Sequence, residues 1–223
     1  ITRTSMLNVS YGNICPDHLS ETLLGGLVFS DAVVATVPAA AFAHVHMPRL
    51  DGQALLCESL LSQGVVRSGQ FGEIHYRFND HLLFGIIAID EEKNIAADDA
   101  TTSPLQRAAH SAYRQIFNVL HAQGFPYVLR FWNYMADINA HSHDLERYRQ
   151  FNIGRQQAFT DSGQAVAGNV PAACALGTSD GPLTIAFLAA RHPSVAVENP
   201  RQISAYDYPE QYGPRSPLFS RAS

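Results

Sequence analysis

The order of apolar and polar positions divides the chain into short strands, two helices and a polar tail. Between Leu23 and Pro38 an apolar run is interrupted by Gly25-Gly26 and by Ser30-Asp31, the pattern of short strands separated by turns, and a second apolar group runs from Gln53 to Ser62. From Glu73 to Phe78 the chain alternates with a period of two, Asn79-Asp80 has turn chemistry, and His81 to Asp90 is nearly all apolar. This predicts a β-hairpin whose second strand is buried on both faces. After Asp98-Asp99 the period lengthens. Leu105, Ala108, Ala109, Ala112, Ile116, Val119 and Leu120 recur three or four apart, along one face of a helix over residues 104–122. Ser103 and Pro104 supply its N-cap and first turn, and Gly124 ends it. Tyr127 to Ile138 is aromatic and apolar without helical spacing and predicts a strand. Asp144 is expected to cap a second helix running to Asp161, with Leu145, Tyr148, Phe151 and Phe159 inward. Pro171 to Leu176 and Leu183 to Ala190 are the last strands, joined by the turn-prone Gly-Thr-Ser-Asp-Gly at 177–181.

Strand, strand, helix, strand, helix, strand, strand over residues 70–190 predicts an α+β fold in which one sheet carries both helices on a single face. The expected division is a β-rich extension over 1–69, a sheet-and-helix domain over 70–195, and a linker rich in Pro, Tyr and Arg over 196–223. Ile1 stands where an initiator Met is usual and the tail reads as a linker, so further sequence is expected around the chain.

Composition narrows the function classes. With 46% hydrophobic and 16% charged residues the chain is not of the disordered type. No apolar run approaches the roughly 20 residues of a membrane span, and the first residues lack a targeting pattern. The expectation is a cytoplasmic protein without a membrane partner. A net charge of −5 argues against nucleic acid as a partner, so any anion site must be local. Cys15, Cys57 and Cys174 are odd in number and far apart, and are expected to be reduced and packed as small apolar groups. His44 with His46 and His141 with His143 have the spacing of ligand pairs, but two ligands fall short of the three or four that a metal site needs. No phosphate loop or nucleophile elbow is present, so neither metal nor cofactor is expected.

Two polar residues stand where apolar ones are expected. Arg155 is four residues from both Phe151 and Phe159, which puts a cation near the apolar face of its helix, where it must be paired. The cost of an unpaired buried charge favours a structural pair, with a carboxylate or a neighbouring domain, over a substrate contact. In Arg130-Phe131-Trp132-Asn133-Tyr134, alternation sends Trp132 and Tyr134 to one face and Asn133 to the other. Core packing explains the aromatics better than it explains Asn133.

A helix over 104–122 ending in Ala122-Gln123-Gly124, a strand ending in Met135-Ala136-Asp137-Ile138, a helix bearing Tyr148, Phe151 and Asn152, and then Val170-Pro171-Ala172 resemble a YjgF-like domain. Imine deaminases of that family carry a carboxylate-holding arginine just after the Pro-Ala pair, where this chain has Ala173, so the resemblance does not extend to deamination. The tail is more specific. Glu198 to Tyr206, Tyr212-Gly213-Pro214-Arg215-Ser216-Pro217 and Phe219-Ser220-Arg221-Ala222, together with Arg130 to Tyr134 and Asn152-Ile153-Gly154-Arg155, resemble the chorismatases. That resemblance implies hydrolysis of chorismate to pyruvate plus a hydroxybenzoate or a dihydroxycyclohexadiene carboxylate. It also implies a second YjgF-like domain beyond Ser223, which would carry the catalytic acid.

Chorismate has two carboxylates, a task for planar arginine donors. The resemblance therefore implies that Tyr212 and Arg215 grip them, with Arg201, Arg221, Asn133 and Arg155 as further substrate-binding residues. A tail that is only a strap, its arginines in ordinary surface ion pairs, is the bland alternative. Were the acid within the chain, Asp137, Glu198 and Asp207 would be the candidates. Two other functions compete: a non-catalytic YjgF-like ligand-binding or assembly module, and a trimeric-barrel chorismate mutase.

Overall fold

The strands are β1 (Leu7–Gly12), β2 (Leu23–Ser30), β3 (Phe42–His46), β4 (Leu55–Ser62), β5 (Arg67–Phe71), β6 (Ile74–Phe78), β7 (Leu82–Ile89), β8 (Tyr127–Ala136), β9 (His141–Ser142), β10 (Leu145–Glu146), β11 (Ala172–Thr178) and β12 (Leu183–Ala190). The helices are α1 (Pro104–Gln123) and α2 (Arg147–Asp161). The structure, a computed structural model, describes residues 6–32, 40–92, 102–209 and 214–222. Four strands form an N-terminal sheet in the order β1-β4-β2-β3, and six form a second sheet in the order β11-β8-β12-β7-β6-β5.

Alternation along the central strands of the larger sheet sends side chains to two different cores. Phe131 and Met135 of β8, Ile185 and Phe187 of β12, and Leu83 and Ile87 of β7 join Tyr113 and Ile116 of α1 and Phe151 and Phe159 of α2. Tyr134, Ala186, Leu188, Phe84 and Ile86 instead meet Leu24, Leu27, Val45 and Leu60 of the N-terminal sheet. Both helices thus share one core with one sheet, as the change of period predicts, and the N-terminal strands cover the opposite face. This is why β7 and β12 are apolar almost throughout. The sheet begins at Arg67, ahead of the expected start at residue 70.

α1 has the predicted caps. Ser103 Oγ accepts from the backbone N–H of Gln106, and Gly124 takes a left-handed conformation with φ 71°. Two other expectations are corrected. Gly25-Gly26 is not a turn but lies inside the continuous strand β2. A Cβ on Gly25 would lie 2.5 Å from Phe84, and one on Gly26 would lie 1.9 Å from the Glu58 carbonyl oxygen, so glycine here permits close packing. The rest of that apolar run, residues 33–38, lies outside the described residues. Asp144 does not cap α2. His143 and Asp144, with φ 52° and 58°, form the two-residue turn between β9 and β10, whose left-handed geometry matches strand twist, and α2 starts only at Arg147.

Gly154 is where the helices cross. A Cβ there would lie 2.1 Å from the Gln106 carbonyl oxygen and 3.2 Å from the Ala109 Cβ. Alanine would gain about 1 kcal/mol of helix propensity, but the clash is with backbone and forces the helices apart. Gly154→Ala should therefore destabilise the fold by about 1–3 kcal/mol, the usual cost of overpacking, seen as a lower melting temperature. A melting temperature at or above the parent's would mean that the helices do not cross this closely.

Candidate carboxylate site

Pairing in the sheet carries Asn133 to the helix side of β8, with only 1% of its surface exposed. Both ends of its amide are engaged: Tyr113 donates from its hydroxyl to Oδ1 at 2.6 Å, and Nδ2 donates to the Cys174 carbonyl oxygen at 2.8 Å. Tyr113 comes from the apolar face of α1 and is fully buried. Burial pushes its phenol up to about 12, against smaller lowering by the Arg155 cation and the Asn133 hydrogen bond, so it remains a proton donor.

Arg155 enters the same space from α2 with 2% exposure. Its guanidinium carbon stands 5.0 Å from the Phe159 ring centroid, 5.3 Å from that of Tyr113 and 5.7 Å from that of Phe131. Among the described residues Nε and Nη2 have no hydrogen-bond partner and no carboxylate pairs with the guanidinium. Among the described residues the expected pair with a carboxylate is thus absent, and aromatic faces surround the cation. Ring faces return part of the cost of burying a charge, while unused N–H donors in the interior carry a penalty until an acceptor arrives.

An acceptor has room. A cavity of about 250 Å³ is lined by Asn133, Tyr148, Phe151, Asn152, Arg155, Ala173, Cys174, Ala175 and Phe219. Its floor is β8 and β11, where the alanines keep the space open, and its wall is α2. The tail closes one side: Ser220 bridges to Ala172 and donates its N–H to the Pro171 carbonyl at 3.1 Å, which places Phe219 against the cavity. The volume is just under the roughly 300 Å³ lower end for small-molecule pockets. Among the described residues, no carboxylic acid lines it. The arrangement can hold an anion through a fixed cation and amide donors.

Of the residues singled out in the sequence, Asn133 and Arg155 come together here. Arg221 borders the cavity indirectly, its guanidinium 5.8 Å from the Phe219 ring and donating to the Tyr208 hydroxyl at 3.2 Å. Arg215 is exposed and lines a separate groove with Gln157 and Asp161 of α2. Arg201 is exposed, and its backbone N–H donates to Asn199 Oδ1 at 3.0 Å. Tyr212 lies outside the described residues. Sequence reasoning does not reach Tyr113 and Phe219, because a tyrosine on an apolar helix face looks like core. His44 and His46 have rings 4.4 Å apart, and among the described residues no three His, Cys, Asp or Glu side chains are grouped as metal ligands.

Residues 58–189 match the family described as Chorismatase FkbO/Hyg5-like, N-terminal. The chain belongs to the chorismatase family. It is 36% identical over 209 residues to a chorismatase of Streptomyces hygroscopicus, covering 91% of this chain and 57% of that protein. It is 35% identical over 168 residues to a chorismatase of Streptomyces rapamycinicus, covering 74% and 47%, and 39% identical over 124 residues to a 3-hydroxybenzoate synthase of Streptomyces hygroscopicus, covering 55% and 36%. A crystal structure of chorismatase matches with a TM-score of 0.79 and 30% identity, over 96% of this chain and 63% of that one. The chain spans about half the length of the curated chorismatases it matches. Among the described residues, no helix is long and apolar enough to cross a membrane.

Proposed function

We propose that the protein hydrolyses chorismate to pyruvate plus a hydroxybenzoate or a dihydroxycyclohexadiene carboxylate, and that this chain holds the substrate. The observation that carries the reading is the buried Arg155, with two guanidinium nitrogens unpartnered among the described residues, in a cavity of a chorismatase-family chain. Arg155 and Asn133 take one carboxylate. The second falls to the tail, where Arg221 borders the cavity through Phe219 and Arg201, Arg215 and Tyr212 belong to the same segment.

In this reading residues 70–195 are a YjgF-like domain, 1–69 its β-rich extension and 196–223 the linker to a second YjgF-like domain, which supplies the acid. The acid protonates the enolpyruvyl methylene carbon. The resulting oxocarbenium-like cation is captured by water, and the hemiketal so formed collapses to pyruvate and the ring alcohol, which is the dihydroxycyclohexadiene carboxylate; the hydroxybenzoate forms only if that ring then loses one water, so that this outcome consumes no net water. No cofactor is needed. Cations that hold the carboxylates act on ground and transition states alike, whereas only a positioned proton donor lowers the barrier itself.

The test is pyruvate release from chorismate, followed by a coupled dehydrogenase. The protein in its full encoded length should turn over, while residues 1–223 alone should bind chorismate weakly and release no pyruvate. Rearrangement of chorismate without pyruvate would make the protein a mutase, and binding without any reaction at full length would make it a ligand-binding module. Comparable rates with and without the remainder would place the acid within these residues.

A further inference from the structure

We infer that Tyr113, sealed behind the cavity wall, is the positioning residue of the carboxylate site: its hydroxyl sets which end of the Asn133 amide faces the ligand, and its ring braces the Arg155 guanidinium. The inference rests on the cavity being the chorismate site.

An asparagine amide has two ends of opposite chemistry. Only the nitrogen end can donate to a carboxylate, and a flipped amide would oppose oxygen to oxygen. Two neighbours fix the choice. The Cys174 carbonyl can only accept, and it takes one Nδ2 hydrogen at 2.8 Å. The Tyr113 hydroxyl, at 2.6 Å from Oδ1 and away from water, gives its proton to the other end. A flip would set Oδ1 against the Cys174 carbonyl oxygen and leave the Tyr113 proton without its acceptor, although the hydroxyl oxygen could itself accept from Nδ2; the unflipped amide satisfies both neighbours, and the second Nδ2 hydrogen remains for the cavity.

The ring acts on the cation. Tyr113 packs with centroid distances of 4.9 Å to Phe131, 5.7 Å to Phe159 and 6.2 Å to Phe151. Arg155 lies over the rings of Tyr113, Phe131 and Phe159. Ring faces attract a guanidinium through its plane and leave the N–H edges uncommitted. A carboxylate partner would have consumed those same donors. One tyrosine therefore contacts both groups proposed to bind the anion, without lining the cavity itself.

The experiment is a double-mutant cycle with chorismate in the full encoded protein, reading KM and kcat separately. Tyr113→Phe keeps the ring and its packing but removes the hydroxyl. It should raise KM about tenfold, as for one lost hydrogen bond, with kcat within about threefold of the parent. Asn133→Ala should raise KM at least as much, and adding Tyr113→Phe to it should raise KM by clearly less than the product of the two single effects, because the hydroxyl acts through Asn133 and through its contact with Arg155. Independent, multiplying effects would overturn the inference, as would a parent-like KM for Tyr113→Phe. Asn133→Asp is the second probe: it keeps an acceptor for Tyr113 but removes the N–H donors, and parent-like binding there would also overturn the inference. Arg155→Met separates the two levels. If it leaves KM unchanged, the site itself is misassigned; if it raises KM while Tyr113→Phe does not, only the positioning role fails.

Discussion

Replacing Arg155 with methionine should weaken chorismate binding by about 2–5 kcal/mol, the range for truncating one partner of a buried, hydrogen-bonded charge pair, and should leave the fold as stable as the parent or more so. The two halves have one cause. Without ligand, Arg155 is 2% exposed and, among the described residues, two of its guanidinium nitrogens have no partner, so the site carries the penalty of an uncompensated buried charge. Methionine fills a similar volume among Phe159, Tyr113 and Phe131 and removes that penalty. With ligand the balance reverses, because the carboxylate loses its cation in a poorly screened space. Arg155→Lys should also bind poorly, since a point charge cannot offer the planar pair of donors. Calorimetric titration with chorismate and thermal melting measure the two effects separately. A large loss of stability with unchanged affinity would make Arg155 a structural residue and move the carboxylate site elsewhere.

Where one physical cause dominated, the sequence could be read directly. The stripe on α1 required a buried face, and Ser103, Pro104 and Gly124 could each serve only a helix end. Asn133 and Arg155 stood out because polar groups on apolar faces cost free energy unless matched. Spacing could not tell what would meet Arg155, since the partner is a matter of tertiary placement, and the described residues around it present aromatic faces. Gly25-Gly26 misled because the same residue serves a turn and a close approach, and only the position of Phe84 and Glu58 decides between them. Asp144 misled for a similar reason. Aspartate favours N-caps and left-handed turn positions alike, and the hairpin with His143 claims it. Tyr113 was hidden by its own burial: its ring packs as core, while its role depends on a hydroxyl 2.6 Å from a residue on another element.

Ile116→Asp should destabilise the protein by about 4 kcal/mol or more, combining the loss of a buried aliphatic side chain with an uncompensated charge in the core. Ile116 has 0% exposure and sits in the core shared by both helices and the six-stranded sheet, the same core that holds Phe131 and Phe159 behind Arg155. Against a total of about 5–15 kcal/mol for a typical domain, this leaves little margin for a folded state. The pH dependence separates the two causes. Burial raises a carboxyl above its unfolded value of about 3.9, so the charge penalty is absent below that value, grows as pH rises, and is complete above the folded value. The variant should therefore recover part of its stability, relative to the parent at each pH, on acidification. Ile116→Asn, with similar shape and no charge, should lose stability without that recovery. Melting curves of the three proteins across pH test this. A parent-like midpoint for Ile116→Asp at neutral pH would mean that α1 does not pack on the sheet through this face, and the aromatic frame around Arg155 would lose its support.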